Sequence, residues 1–364
     1  MCASRPRPRP RSAALRFLLS WRDCFETRPR DFGTDTFHNC ALFLDRLKPG
    51  RGGVIPTHRT SSKESGPFVL AIFGPTASGK SAVAEAIAAR LGGELVSADA
   101  MQVYRDLPIL TNQSPAKLVG IWPLDHEASL GEYAGLAQRA IDEILAARRV
   151  PIVVGGTGLY FRAALAEIEL PPAPSSGTRE RWQAAYDELG PERAHALLID
   201  RDPVAAERVH ANDRRRVVRA LELNEAGHSL ARADSRLWSG EMRHPTLVFG
   251  LELERSLLDG RIERRTRAMF ERGVHEEVRK ALEQPLSTTA RKTIGLCEVS
   301  ELPSDEAIRE IATRTRRYAS YQQKWMRRIP GLIRVNANRS PEEVADEIVE
   351  VARTGKRLPA PGAV

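Results

Sequence analysis

The chain has 364 residues, of which 42% are hydrophobic and 28% charged, and this composition excludes a wholly disordered or collagen-like protein. No apolar run approaches the ~18 residues that a membrane span needs, so we expect no membrane protein. The formal net charge is +8, but residues 1–65 account for +7 of it. The remaining residues are nearly neutral, so a nucleic-acid-binding face must come from local clustering of cations.

Residues 1–65 begin with an Arg-Pro repeat that regular secondary structure does not accommodate. We expect this segment to be a disordered extension, or an upstream reading of the gene that begins too early. Three of the four cysteines lie in it, and the sequence has no Cys-x-x-Cys or Cys/His ligand spacing. The sequence therefore indicates neither a disulfide framework nor a zinc site, and a reducing cytoplasm fits best.

Alternating strands and helices follow from Phe68 onwards. An apolar run predicts a buried strand over 68–73, and an Ala-rich segment predicts a helix over 80–91. Further patterns predict a strand over 94–98, a helix over about 132–149 and a strand over 152–154. This alternation is typical of βαβ units, so we predict an α/β protein with a parallel sheet.

The pattern changes at the Pro-rich linker of residues 171–177. Only helices are predicted from 178 to 226, after which an apolar run predicts a strand over 246–253. Later patterns predict helices near 255–272, 273–283 and 304–328, and an edge strand over 333–335. The helical stretch is therefore interpreted as an insertion between two strands of one sheet.

A phosphate-binding motif lies between the first strand and the first helix. Its residues, Gly74, Pro75, Thr76, Ala77, Ser78, Gly79, Lys80 and Ser81, fit G-x-x-x-x-G-K-[ST]. In such a loop the backbone amides and the helix dipole attract anionic oxygens. Gly79 lets the backbone approach a phosphate, Lys80 bridges phosphates, and Ser81 is the candidate ligand for Mg²⁺ as cofactor.

The motif, together with the pattern of strands and helices, predicts a P-loop NTPase-like parallel sheet flanked by helices, with an inserted all-helical domain. We expect the core over residues 66–170 and 246–340, the insertion over 171–245, and a C-terminal helix and tail over 341–364.

The carboxylate that an ordinary P-loop NTPase uses to hold Mg²⁺ is missing from its usual place. The strand at Ile152 ends in Gly155-Gly-Thr157-Gly instead. Asp99 does follow a strand, and strand ends beside a P-loop line the same crevice. Asp99 is therefore predicted to hold Mg²⁺ or to act as a base on an acceptor. A GTPase is disfavoured because no Asn-Lys-x-Asp guanine-reading motif occurs.

These segments resemble the tRNA dimethylallyltransferases, also called tRNA isopentenyltransferases. The resemblance extends over roughly residues 67–335. It is carried by Gly74–Ser81, by Asp99-Ala100-Met101-Gln102-Val-Tyr104-Arg, by Val153-Val-Gly-Gly-Thr157-Gly-Leu-Tyr160, by Asp202–Asp213, by Arg215–Glu222, by the helix spacing of Arg255, Leu258, Arg261, Arg265, Met269 and Gly273, and by Thr315, Tyr318, Gln322 and Trp325.

The resemblance implies transfer of a dimethylallyl group from its diphosphate to N6 of the adenosine just 3′ of the tRNA anticodon. The P-loop then holds the isoprenoid diphosphate and not ATP. Lys80 stabilises the departing diphosphate, Asp99 accepts the N6 proton, and Thr157 hydrogen-bonds the substrate. The base must leave its stack to reach such a site. The implied partners are dimethylallyl diphosphate and the anticodon stem-loop, on a monomeric enzyme.

A second group of residues is expected to contact tRNA. Arg214 to Arg216 and Arg219 follow Asp213, a good helix N-cap, and form a local basic run on an otherwise nearly neutral body. The resemblance implies that the inserted all-helical domain is a tRNA-binding domain. By resemblance, the tRNA-contacting positions are Asp99, Ala100, Met101, Gln102, Thr157, Arg179, Arg215, Arg216, Val217, Val218, Arg219, Arg291, Lys292 and Gly295. Tyr318 and Trp325, seven residues apart on one helix face, are interpreted as core residues.

The sequence departs from the family pattern in three places. Leu110-Thr-Asn-Gln113-Ser replaces Gly-Thr-Ala-Lys-Pro, paired histidines are replaced around Trp122, and Ser320-Tyr321 replaces a basic pair. We expect these changes to affect tRNA affinity and rate, because the P-loop, Asp99 and Thr157 are kept. Three alternatives remain: a prenyltransferase for free adenine nucleotides, a small-molecule kinase, and a tRNA-binding protein with a degenerate P-loop.

Overall fold

The computed structural model describes residues 68–167, 177–231 and 240–354. The predictions for residues 1–65, for most of the Pro-rich linker and for the tail after Thr354 lie outside these ranges. The described residues form two compact units. One comprises 177–231, and the other comprises 68–167 together with 240–354.

The larger unit contains a five-stranded sheet. Its strands are β1 (Val69–Phe73), β2 (Glu94–Ala98), β3 (Pro151–Gly155), β4 (Thr246–Glu252) and β5 (Ile333–Asn336). They lie in the order β2-β3-β1-β4-β5 and every neighbouring pair is parallel. Strand β1 is buried along its whole length, as expected for a strand covered on both faces. The predicted α/β class with a parallel sheet is confirmed.

Helices surround the sheet and build the second unit. In chain order they are α1 (Lys80–Leu91), α2 (Leu130–Ala146), α3 (Gly158–Leu165), α4 (Thr178–Leu189), α5 (Pro191–Arg201), α6 (Pro203–Ala206), α7 (Arg214–Glu225), α8 (Arg255–Glu271), α9 (Val274–Leu282), α10 (Leu296–Glu301), α11 (Ser304–Met326) and α12 (Pro341–Thr354), with a 3₁₀ turn at Ala290–Lys292 between α9 and α10. None of these helices is long and apolar enough to cross a membrane.

Helix boundaries and two whole helices differ from the sequence prediction. Helix α2 begins two residues before the predicted start because the Ser129 side chain accepts a hydrogen bond from the Glu132 amide and caps it. Helix α3 was not predicted, since its residues are buried almost all round and show no helical periodicity. Helix α10 has only six residues, too few for a periodic pattern.

The smaller unit consists of α4 to α7 around its own apolar core. Tyr186, Leu198 and Leu221 are among the side chains that meet there. Helix α7 begins at Arg214, and the Asp213 carboxylate accepts the Arg216 amide at 3.1 Å, the N-cap that the sequence predicts.

Candidate active site

The loop between β1 and α1 has the backbone geometry that a phosphate cradle requires. Ala77 and Gly79 both adopt positive φ, at 64° and 89°. The conformation at Gly79 opens the first turn of α1, whose amides point away from the helix. Such amides and the helix dipole form an anion site. The loop residues Thr76, Ala77, Gly79, Lys80 and Ser81 line a cavity of about 480 Å³.

The structure brings the P-loop, the Asp99 segment and parts of α8 and α11 together in this cavity. Asp99, Met101 and Gln102 line it from the end of β2. The other lining residues are Ala82, Glu85, Leu110, Thr111, Asn112, Ser114, Arg261, Arg265, Met269, Thr293, Ile294, Ile311, Thr315 and Tyr318. The cavity thus combines a cationic end with an apolar wall, and it contains two carboxylates, Glu85 on α1 and Asp99 directly after β2.

Two arginines of α8 were not predicted as site residues. The Arg265 guanidinium donates to the Thr76 hydroxyl at 2.7 Å, and that of Arg261 to the Ser78 carbonyl at 3.4 Å. They are four residues apart, so they share one face of α8. This spacing was visible in the sequence, but nothing local indicated that the face would meet the P-loop.

Lys80 lies in a partly buried position where it feels the charges of Asp99 and Arg265. The pKa of its ammonium group is lowered to about 8, chiefly by burial; the Asp99 charge opposes this lowering, and the Arg265 charge adds to it. At neutral pH the ammonium is charged, and the group loses its proton just above physiological pH. A bound anion would stabilise the charged form.

We expect affinity for an isoprenoid diphosphate to fall as the pH rises above about 8, approaching tenfold per pH unit. The reason is that Lys80 loses the charge that faces the phosphates. Calorimetric titration of dimethylallyl diphosphate from pH 6.5 to 9.5 measures this. The Lys80→Arg variant keeps its charge over this range. A wild-type profile as flat as that of the variant would contradict the assignment.

Asp99 and Thr157 are held by neighbouring backbone amides. The Asp99 carboxylate accepts the Met101 amide at 3.0 Å, and the Thr157 hydroxyl accepts the Ala100 amide at 3.1 Å. The Tyr318 hydroxyl lies 3.1 Å from that of Thr157. Tyr318 is therefore a residue of the site, and its interpretation as a core residue was wrong. Trp325 is buried, as predicted.

The Gly-Gly-Thr-Gly loop after β3 lies in close contact with its surroundings. A Cβ atom on Gly156 would stand 2.2 Å from the Gln322 amide nitrogen, and one on Gly158 would stand 2.1 Å from the Trp325 ring. The Gln322 carbonyl accepts the Thr76 amide at 2.7 Å. Helix α11 thus reaches the P-loop directly, and only glycine leaves the room it needs.

The irregular segment 107–114 forms one wall of the cavity. The half-buried Glu277 carboxylate accepts the amides of Ile109 and Leu110, each at 2.7 Å. From the other side, the Gln102 amide group donates to the Thr111 and Asn112 carbonyls at 3.3 and 3.0 Å. These contacts hold Leu110 to Asn112 against the cavity.

The departures from the family pattern have identifiable contacts. Gln113 donates to the Tyr104 carbonyl at 2.6 Å, so it supports the same wall. Trp122 stacks on His126 with ring centroids 4.8 Å apart. The Ser320 hydroxyl bonds the Arg316 carbonyl within α11, and Tyr321 meets Trp325 edge-on.

Within the helical unit, two predicted tRNA contacts are ion-paired. The Glu222 side chain is 1% exposed and accepts hydrogen bonds from Arg179 and Arg219, each at 3.0 Å. Arg215 is exposed and Arg216 is half-buried. Val217 and Val218 are buried in the apolar core of this unit, so their assignment as tRNA contacts stays a prediction that concerns their backbone.

Near the 3₁₀ turn, Arg291 and Lys292 are exposed, whereas Gly295 is buried. The Gly295 amide donates to the Glu298 carboxylate at 3.0 Å. Its φ of +101° and its closeness to Leu110 explain the glycine, and its assignment as a tRNA contact stays a prediction. Thr293 and Ile294 line the cavity instead.

Comparison with known proteins agrees with this geometry. The family described as IPP transferase matches residues 102–329, and that described as isopentenyl transferase matches residues 67–118. A tRNA dimethylallyltransferase of Corynebacterium jeikeium is 37% identical over 290 residues, which cover 76% of this chain and 93% of that protein.

Solved structures lead to the same family. The tRNA isopentenylpyrophosphate transferase of Staphylococcus epidermidis is 28% identical, with a TM-score of 0.57 over 80% of this chain and 100% of its own. A eukaryotic dimethylallyltransferase described as acting on tRNA is 25% identical, with a TM-score of 0.60 over 74% of each chain. The parallel sheet, the P-loop cavity and these relatives together show that the chain belongs to the tRNA dimethylallyltransferase (tRNA isopentenyltransferase) family.

Proposed function

We propose that this protein transfers a dimethylallyl group from dimethylallyl diphosphate to N6 of the adenosine 3′-adjacent to the anticodon of tRNA. The bond from the allylic carbon to the diphosphate oxygen breaks, a bond from that carbon to N6 forms, and N6 loses one proton. The observation that carries the proposal is one cavity that holds Lys80, Arg265, Asp99 and an apolar wall together.

The cationic end of the cavity suits a diphosphate leaving group. This end contains the amides at the start of α1, Lys80 and Arg265, whose guanidinium bonds Thr76 of the P-loop. Negative charge develops on the diphosphate as the allylic bond breaks. Donors already aimed at such developing charge lower the barrier without reorganising. The apolar wall, which includes Leu110, Met269 and Ile311, suits the dimethylallyl group.

Asp99 suits the role of general base. It lines the cavity beside the P-loop, and the Met101 amide orients its carboxylate. A base needs only hydrogen-bond reach of the nitrogen that loses the proton. Thr157, held by the Ala100 amide, is proposed as a polar contact to the same substrate.

The residues of the cavity fit a magnesium ion. Mg²⁺ prefers hard oxygen ligands and is commonly bound by few protein groups together with substrate phosphates. The Ser81 hydroxyl lies in the P-loop part of the cavity lining. Among the described residues there is no group of three or more His, Cys, Asp or Glu that would hold a metal by itself. When bound with the diphosphate, the ion would neutralise leaving-group charge.

The arginines of the helical unit are proposed to contact tRNA phosphates. Arg216→Ala and Arg219→Ala should each weaken tRNA binding and make its dependence on salt shallower by about one unit per lost phosphate contact. Binding titrations across a salt series measure this. Arg193→Ala is the control, because Arg193 is an exposed arginine of the same unit outside the proposed contacts. Salt slopes equal to that of the control would indicate a merely solvated helix face.

The function itself is tested by incubating the protein with tRNA and dimethylallyl diphosphate and analysing the tRNA nucleosides by mass spectrometry. We expect an adenosine that has gained C₅H₈, at the position 3′ of the anticodon. Two controls separate the alternatives. ATP in place of the isoprenoid tests a kinase, and adenosine monophosphate in place of tRNA tests a prenyltransferase for free nucleotides.

A further inference from the structure

Tyr318 lines the cavity, but it has no role in the proposed leaving-group stabilisation or proton removal. It extends from α11 into the cavity lining, and its hydroxyl lies 3.1 Å from the Thr157 hydroxyl. Thr157 in turn accepts the amide of Ala100, the residue that follows Asp99. Tyr318, Thr157 and the Asp99 segment therefore form one continuous set of polar contacts.

The number of hydroxyl protons on Tyr318 and Thr157 determines whether this pair can donate a hydrogen bond to a ligand. Two hydroxyl groups carry two protons, and the hydrogen bond between them uses one. The Ala100 amide already fills one acceptor position on Thr157. The Gln322 side chain also lies at the Tyr318 hydroxyl, but its carbonyl oxygen already accepts the Thr76 amide. With the Gln322 amide group as the donor there, one hydroxyl proton remains to be donated, whichever way the bond between the two hydroxyls runs. Burial and the Asp99 charge raise the pKa of Tyr318 above its ordinary value, so the phenol stays protonated and acts as a donor.

We propose that this remaining hydroxyl proton is donated to a ring nitrogen of the target adenine while Asp99 accepts from N6, which makes Tyr318 a specificity-determining substrate contact. The inference rests on the proposed function. In adenine the N6 amino group is a donor with acceptor nitrogens on both sides, so an acceptor beside a donor is complementary to it. Guanine presents an acceptor at O6, which a carboxylate repels.

The experiment pairs a protein group with a substrate atom. Anticodon stem-loops carry adenosine, 1-deazaadenosine or 7-deazaadenosine at the target position, and all three keep the N6 amino group. Wild type, Tyr318→Phe and Tyr321→Phe are assayed on each with dimethylallyl diphosphate. Tyr321 is the control, because it lies on the same helix outside the cavity lining. Dimethylallyl diphosphate affinity verifies that each variant is folded.

We expect Tyr318→Phe to lower kcat/KM on adenosine by about tenfold, the usual scale for one hydrogen bond. For wild type, one of the two deaza analogues should lower kcat/KM by a similar factor. For Tyr318→Phe, the same analogue should lower kcat/KM no further, and this identifies the ring nitrogen that accepts the hydroxyl proton. The inference would be overturned if Tyr318→Phe lowered kcat/KM on both analogues by the same factor as on adenosine. It would also be overturned if wild type showed the same kcat/KM on both analogues as on adenosine. No transfer by wild type to the adenosine stem-loop would instead refute the proposed function.

Discussion

Replacement of Asp99 by asparagine is expected to lower turnover by roughly 10²-fold or more, the usual scale for loss of a general base. Asparagine keeps the shape of the side chain and still accepts the Met101 amide, which the carboxylate accepts at 3.0 Å. It does not take up a proton from N6. Because the change leaves the surface charge of the helical unit untouched, tRNA affinity should change little.

Single-turnover kinetics with bound tRNA measure this loss without a contribution from product release. Asp106→Asn serves as the matched control, since it makes the same change seven residues further along the same segment, outside the cavity lining. We expect the control to retain wild-type turnover. A near wild-type single-turnover rate for Asp99→Asn would remove Asp99 from the role of base.

Gly158→Ala is expected to lower the free energy of unfolding by about 3 kcal/mol, at the upper end for overpacking a well-filled interior. The added Cβ would stand 2.1 Å from the indole of Trp325, which is 4% exposed. A buried ring has no room to move away, so α3 and α11 must separate. Since Thr157 precedes this glycine and Tyr318 lies on α11, activity should fall together with stability.

Gly131→Ala is the matched control for that variant. Gly131 is the second residue of α2, and a Cβ atom there would have no neighbour within 4 Å. Alanine is the better helix former, so this change should leave the melting temperature unchanged or raise it slightly. Thermal unfolding of the two variants is the measurement. Equal melting temperatures for the two variants would show that the contact with Trp325 does not require glycine at position 158.

Part of this protein could be read from the sequence because the information is local along the chain. The eight residues from Gly74 to Ser81 carry a complete phosphate-binding turn between a strand and a helix, and Asp99 directly follows a strand. Parallel strands bring their carboxyl ends to one edge, so the meeting of these two segments follows from the strand assignments alone. The N-cap at Asp213 is equally local, since its partner amide lies three residues away.

The rest of the candidate site depends on residues that are far apart in the chain. Arg265 bonds Thr76 across 189 positions, Tyr318 meets Thr157 across 161, and Gln322 accepts the Thr76 amide across 246. A periodic pattern predicts that α8 and α11 are helices and which faces are apolar. It does not indicate which other element each polar residue meets, because that depends on how the helices pack on the sheet.

The same distinction explains what the structure adds at Gly295 and in the segment 107–114. Gly295 lies in a motif that resembles an RNA-binding segment. Its positive φ and the nearby Leu110 side chain both require a glycine at this position. Glu277 is an ordinary helical glutamate in the sequence, yet its carboxylate holds two amides of the cavity wall. The sequence alone therefore determined the chemistry of the phosphate loop and of Asp99. Only tertiary packing decided which distant arginine, tyrosine and glutamate complete the cavity, because those contacts form when separate elements meet.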